Sequence, residues 1–159
     1  MKPKTWFILV LIGVLAITGG VLLLKKITTL HIENRDHLRT IRIPISLSEP
    51  FSVFYVHSIY KEPVLEEFQV KGDAIALKGV RTKSPAVMKY YGFEDMKGFH
   101  PMDEWLGAIY FKWGIGEGQG LIVRNRKIYL SEIGERGDRI QLRVESMSLL
   151  GYLFSAIFK

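Results

Sequence analysis

The chain has 159 residues, about the length of one domain, and no cysteine, which excludes disulfides, zinc–thiolate centres, thiol catalysis and lipidation on Cys. Its formal net charge is +6, but Lys2, Lys4, Lys25 and Lys26 flank one apolar segment, and every acidic residue lies beyond them. Removing those four from the 22 Lys+Arg leaves 18 against 16 Asp+Glu, with no basic run interleaved with aromatics, so the excess reads as membrane-flanking charge and nucleic-acid binding is not expected.

Between the lysines, Trp6–Leu24 reads WFILVLIGVLAITGGVLLL, 19 residues without a charge. A helix needs about 20 apolar residues to cross the hydrocarbon core. Trp6 suits one interface, and the ammonium groups of Lys25 and Lys26 would snorkel to the other. The run exceeds the apolar core of a signal peptide, and Ala16-Ile17-Thr18, its poor match to a cleavage site, lies inside it. Residues 1–26 are therefore expected to be an uncleaved signal-anchor. Lys2, Lys4 and the α-amino group draw the N-terminus to the cytoplasm, while Lys25 and Lys26 oppose them. The expected result is a single-pass protein of the cell membrane with its main domain extracytoplasmic. Gly13, Gly19 and Gly20 form no G-x-x-x-G, so no self-association motif is present.

Residues 27–146 are expected to form a β domain. Short runs rich in Val, Ile, Tyr and Phe recur at 40–45, 51–59, 64–71, 74–81, 107–115, 121–124, 127–131 and 139–144, bounded by turn residues. That spacing predicts a mainly β fold, an antiparallel sandwich or partly open barrel. If Tyr60-Lys61-Glu62-Pro63 is a loop and Gly72-Asp73 a tight turn, the middle three strands can be registered. One face then aligns Val53 with Val70 and Ile75, Tyr55 with Phe68 and Leu77, and His57 with Glu66 and Gly79. Arg81 lies diagonal to Glu66. A carboxylate on an apolar face must be paired or protonated. His57 and Glu66 would thus be either a structural ion pair reinforced by Arg81, or the polar floor of a pocket.

Phe54-Tyr55-Val56-His57-Ser58-Ile59, followed by Val64, Glu66 or Glu67, and Phe68, resembles the opening motif of domain-of-unknown-function family 1850. The resemblance covers roughly residues 40 to 146. It implies an aromatic-x-x-His-Ser segment followed by a Glu-containing strand, and a gene context beside TAXI-type TRAP transporters. A TRAP-type permease or solute-binding protein is the partner that context implies. Where many members carry a Gly-x-Gly-x-Pro-like segment after the third strand, this chain reads VRTKSPAVMKYYGFE, while His57 and Glu66 match the motif.

Residues 84–93 predict a helical turn, capped by Ser84, with Pro85 at its first position and Gly92 at its end. It would lid the sheet end, with Tyr90 and Tyr91 facing a ligand, or simply cover a core. Gly114, Gly116, Gly118 and Gly120 lack the Lys-Ser/Thr and the following helix of a phosphate loop, so a flexible connection or bulge is expected. His31, His37, His57 and His100, with Asp103 and Glu104, show no metal-ligand spacing, so neither metal nor cofactor is expected. Ser58 lacks a nucleophile motif, and the register sets it on the face opposite His57. In the tail, 147–159, Leu149, Leu150, Leu153, Phe154, Ile157 and Phe158 share one helical face, with Gly151, Tyr152, Ser155 and Lys159 on the other. This short amphipathic helix is expected to cover an open sheet face; the alternatives are the membrane interface or a partner helix.

These features point to a non-enzymatic, membrane-anchored accessory or binding module of a transport system. Its expected contact residues for a partner or a small acidic solute are His57, Glu66, Arg81, Tyr90 and Tyr91. The alternative is a membrane-tethered hydrolase-like enzyme using His57 and Glu66.

Overall fold

The computed structural model describes residues 3–94, 98–114 and 118–157. Lys2, Ile115, Gly116, Phe158 and Lys159, which enter the expectations above, lie outside them. The chain divides into two units, Met1–Ile27 with Ser146–Lys159, and Thr28–Glu145.

The first unit holds helix α1 (Pro3–Leu24) and helix α3 (Leu149–Ile157). α1 contains the expected apolar run, one helix long and apolar enough to cross a membrane. Its one hydroxyl in the span is satisfied within the helix: Thr18 Oγ1 donates to Val14 O at 2.8 Å. α3 buries none of its residues.

The second unit is mainly β, with two antiparallel sheets. Sheet 1 has the order β2-β1-β10-β7, built from β1 (Lys26–Asn34), β2 (Thr40–Pro44), β7 (Ala108–Lys112) and β10 (Arg139–Ser148). Sheet 2 has the order β6-β5-β4-β3-β8-β9, built from β3 (Pro50–Val56), β4 (Pro63–Lys71), β5 (Ala74–Thr82), β6 (His100–Leu106), β8 (Gly120–Val123) and β9 (Arg126–Tyr129). Helix α2 (Pro85–Tyr90) follows β5. The sheets share one core: Leu30, Ile32, Ile140 and Leu142 from sheet 1 meet Phe51, Phe68, Val70, Ile75 and Leu121 from sheet 2. Each fully buried aliphatic or aromatic side chain there contributes about 1.5–3 kcal/mol. Phe51 and Phe68, directly opposite on β3 and β4, stack at 5.3 Å.

Two local events reset the expected register. β3 stops at Val56, so the connection to β4 is the six residues 57–62, and Val53 faces Glu66. The slip is four residues, an even number, and leaves the core face of β3 unchanged. The β4–β5 hairpin turns at Gly72 (φ 63°) and pairs Val70 with Ile75 and Phe68 with Leu77, as expected. A bulge then intervenes: Glu67 pairs with Gly79, Glu66 with Val80, and Leu65 with Arg81. One extra residue reverses the faces beyond it, and Arg81 leaves the face that carries Glu66. Gly79 is required there, because a Cβ would lie 2.3 Å from the Phe99 ring and 2.7 Å from the His100 carbonyl oxygen.

Candidate functional site

At the end of β3 the chain closes a turn on His57. Its N–H donates to Glu62 O and its carbonyl accepts from Lys61 N, both at 2.8 Å, with Lys61 in the left-handed region (φ 56°). The imidazole turns back on the same loop, where Nδ1 accepts from Ile59 N at 3.3 Å and Tyr60 N at 3.4 Å. An accepting Nδ1 leaves the proton of the neutral ring on Nε2. The side chain is buried, 6% exposed, with its ring edge-on to Tyr90 at 5.0 Å and tilted against Tyr60 at 5.0 Å.

Glu66, on the core face of β4, is held by tyrosines. Its Oε1 accepts from Tyr91 at 2.6 Å and from Tyr55 at 3.1 Å, and the two hydroxyl oxygens are themselves in contact. Tyr55 comes from β3 and Tyr91 from the C-cap of α2. α2 forms as expected: Ser84 Oγ accepts from Val87 N, and Pro85 occupies the first turn. Val87 and Met88 are buried beneath it, which fixes where Tyr90 and Tyr91 project. Burial first, and then the neighbouring Glu66 charge, push the hydroxyls of both Tyr55 and Tyr91 well above the usual phenol range. Both remain protonated donors at any physiological pH.

A cleft of about 290 Å³ opens in front of this cluster, lined by Tyr55, His57, Ser58, Tyr90, Tyr91 and Gln119. The Oε1 of Gln119 is buried and has no hydrogen-bond partner among the described residues. A larger depression, about 710 Å³, lies elsewhere, between Phe54, Leu65 and Ile122 with Arg81, Lys83 and Lys127. Size does not decide between them. The smaller cleft holds convergent polar groups from four segments, whereas the larger one is lined mostly by strand residues of sheet 2, with Glu62, Lys83 and Gly98 at its rim.

The structure thus gathers four of the five expected residues into one region: His57, Tyr90 and Tyr91 line the cleft, and Glu66 stands behind it. It does not join His57 to Glu66; no hydrogen bond or ion pair connects them among the described residues, because His57 sits in the turn and Val53 takes the position opposite Glu66. Arg81 is a second correction. Past the bulge it pairs with Glu67 at 3.0 Å and lies over the Phe99 ring at 5.0 Å. Ser58 is a third: with β3 ended at Val56 it lines the cleft beside His57 instead of pointing away.

Tyr55 and Gln119 are the members that sequence reasoning missed. Tyr55 reads as a core position of an alternating strand, and Gln119 is hidden in a glycine-rich segment. The other histidines are engaged separately: His31 contacts Glu145, His37 lies 3.4 Å from Asp138, and His100 stacks on Phe93 at 4.2 Å. No three His, Cys, Asp or Glu converge as metal ligands among the described residues.

The fold and the cleft define a class only, a β-sandwich with a tyrosine-lined cleft on a chain that also carries an apolar N-terminal helix. No family model, curated protein or solved structure matches this chain.

Proposed function

We propose that the chain is a membrane-anchored binding module, held by α1 with its β domain on the extracytoplasmic side. Its cleft takes a small polar solute or a polar side chain of a partner. The observation that carries this reading is the orientation of His57: Nδ1 is occupied by the backbone of its own turn, so Nε2–H is presented as a donor. Beside it stand Tyr90 and Gln119, whose side-chain oxygen Oε1 has no partner among the described residues. Donors and acceptors fixed by rigid neighbours in an aromatic-walled cleft suit recognition.

The same tautomer argues against hydrolysis. A general base on Ser58 would need a free imidazole nitrogen on Nε2 and an acceptor for a proton on Nδ1. Here the two positions are reversed. The small acidic solute expected from Arg81 is also disfavoured, since no cationic side chain lines the cleft among the described residues. Association with a TRAP-type permease or solute-binding protein is proposed on the sequence resemblance to domain-of-unknown-function family 1850.

Affinity purification of the full-length protein from gently solubilised native membranes, with mass spectrometry of what accompanies it, tests the reading. Recovery of permease subunits or a solute-binding protein, reduced by Tyr91→Phe or His57→Ala, is the expected result. Recovery of nothing reproducible removes the transporter association. Hydrolysis of a broad substrate panel, abolished by Glu66→Gln, would overturn the non-enzymatic role.

A further inference from the structure

We infer that α3 is a second, half-depth membrane element: it lies against α1 with its apolar face on lipid, so that the chain is held by two helices instead of one. This rests on reading α1 as a retained anchor.

The sequence of α3, LLGYLFSAI, contains no charge. A nine-residue helix is too short to be stable alone in water, and a soluble helix earns its stability by turning its apolar stripe onto protein. α3 does the reverse. The residues that are partly covered are Leu149, Tyr152 and Ser155, three apart on one stripe that includes both of its hydroxyl side chains. The large apolar residues stay out: Leu150 is 39% exposed, Leu153 42%, Phe154 54% and Ile157 73%. A helix with its polar stripe inward and its apolar stripe outward matches lipid, not water.

Two further observations say that the bilayer is the occupant. α3 and α1 pack against each other within one unit. The backbone joins them at a defined level: Leu149 N–H donates to Lys25 O at 2.8 Å, where the apolar run of α1 gives way to its lysine pair. α3 therefore begins at the depth where α1 leaves the hydrocarbon. The Ser155 hydroxyl and the first-turn Gly151 N–H are also satisfied locally, as lipid demands. Ser155 Oγ donates to Tyr152 O at 2.8 Å, and Ser148 Oγ accepts from Gly151 N at 3.1 Å. Nine residues rise about 14 Å, roughly half of the ~30 Å hydrocarbon core, so α3 enters without crossing.

The absence of cysteine makes the test direct. Full-length variants Leu38→Cys, Leu15→Cys, Leu153→Cys and Ile157→Cys are each labelled with bimane and reconstituted in phosphatidylcholine vesicles with or without acyl-chain bromine. All four positions are exposed, so the substitutions leave the fold unstrained. The expected result is quenching by brominated lipid at positions 15, 153 and 157, and none at 38 in the β domain. Quenching at 15 with none at 153 and 157 overturns the inference while leaving the anchor intact. No quenching at 15 overturns the anchor on which it rests. Oxidant-driven disulfide cross-linking between copies of the unlabelled Leu153→Cys variant, with no quenching of its bimane-labelled form, replaces lipid by a second copy of the chain.

Discussion

Tyr91 donates its hydroxyl to Glu66 at 2.6 Å, and this bond ties α2 to β4 across 25 residues of chain. Tyr55 donates to the same oxygen from β3, so three elements converge on one carboxylate. A hydrogen bond to a charged acceptor contributes about 1.5–3 kcal/mol, and its loss leaves a partly covered carboxylate short of a donor. Tyr91→Phe is expected to destabilise the protein by about 1–2 kcal/mol. Because the two hydroxyls touch each other and share Glu66, the Tyr55→Phe and Tyr91→Phe effects should be non-additive. Chemical denaturation of the two single variants and the double variant, in detergent, measures the coupling. Additive losses would mean that the cluster does not act as a unit.

Gly79 sits at the bulge under Phe99. Gly79→Ala forces its Cβ against both that ring and the His100 carbonyl, and the backbone cannot yield as a flexible side chain can. The expected cost is about 1–3 kcal/mol, the range for overpacking. The lining of the cleft is contributed by other segments, so solute or partner binding should survive. Parallel measurement of thermal midpoint and binding separates the two effects. A variant as stable as the parent would mean that the bulge relaxes freely.

How far the sequence could be read follows from the same bulge. α1 was legible because an uncharged run of its length has few other uses, and α2 because Ser84 and Pro85 are start signals with a mechanism. The hairpin at Gly72-Asp73 was legible from its turn chemistry. The bulge was not: Gly79 marks it, but a lone glycine in a strand does not say which side chain changes face. The turn at 57–62 was illegible for a different reason. Ile59 and Tyr60 look like strand residues, and only the imidazole of His57, by taking their N–H groups, ends the strand early. β1 was missed because it runs on from the anchor and sets the polar Thr29 and His31 beside its core Leu30 and Ile32. β6, HPMDEWL, has too little apolar alternation to read as a strand; it forms because β5 offers it an edge. The cleft residues with strong local signals were thus legible in the sequence, and features defined by pairing across strands, the place of Tyr55 and the environment of Arg81, were not.

Acid should weaken the fold in a defined window. A side-chain bond from Arg139 lowers Asp36 to about 2, a side-chain bond from Asn34 lowers Asp138, and a side-chain bond from Arg124 lowers Glu49. Each folded-state value lies below the unfolded one. The stabilisation is therefore present above the unfolded values, near pH 4, and is lost as pH falls through the folded ones. The thermal midpoint is expected to be level above about pH 5 and to drop between about pH 4.5 and 2. Asp36→Asn should remove part of the lowest-pH fall. A midpoint level down to pH 2 would show that these contacts carry no folding linkage.

His57 has two separable duties, and one pair of substitutions divides them. Nδ1 accepts the N–H groups of Ile59 and Tyr60 and so shapes the turn, while the ring lines the cleft and its Nε2 carries the donor of the neutral imidazole. Asn carries a side-chain oxygen that can accept from the backbone two and three residues on, in the manner of an Asx turn. His57→Asn is therefore expected to keep most of the stability while withdrawing the donor from the cleft. His57→Ala loses both duties, with a cost of about 0.5–1.5 kcal/mol for the lost turn hydrogen bonds. If the proposed site is real, both variants lose binding of the solute or partner, but only His57→Ala loses substantial stability. If binding follows stability through the series, with His57→Asn retaining both, then His57 serves the turn alone, and recognition must rest on Tyr90 and Gln119.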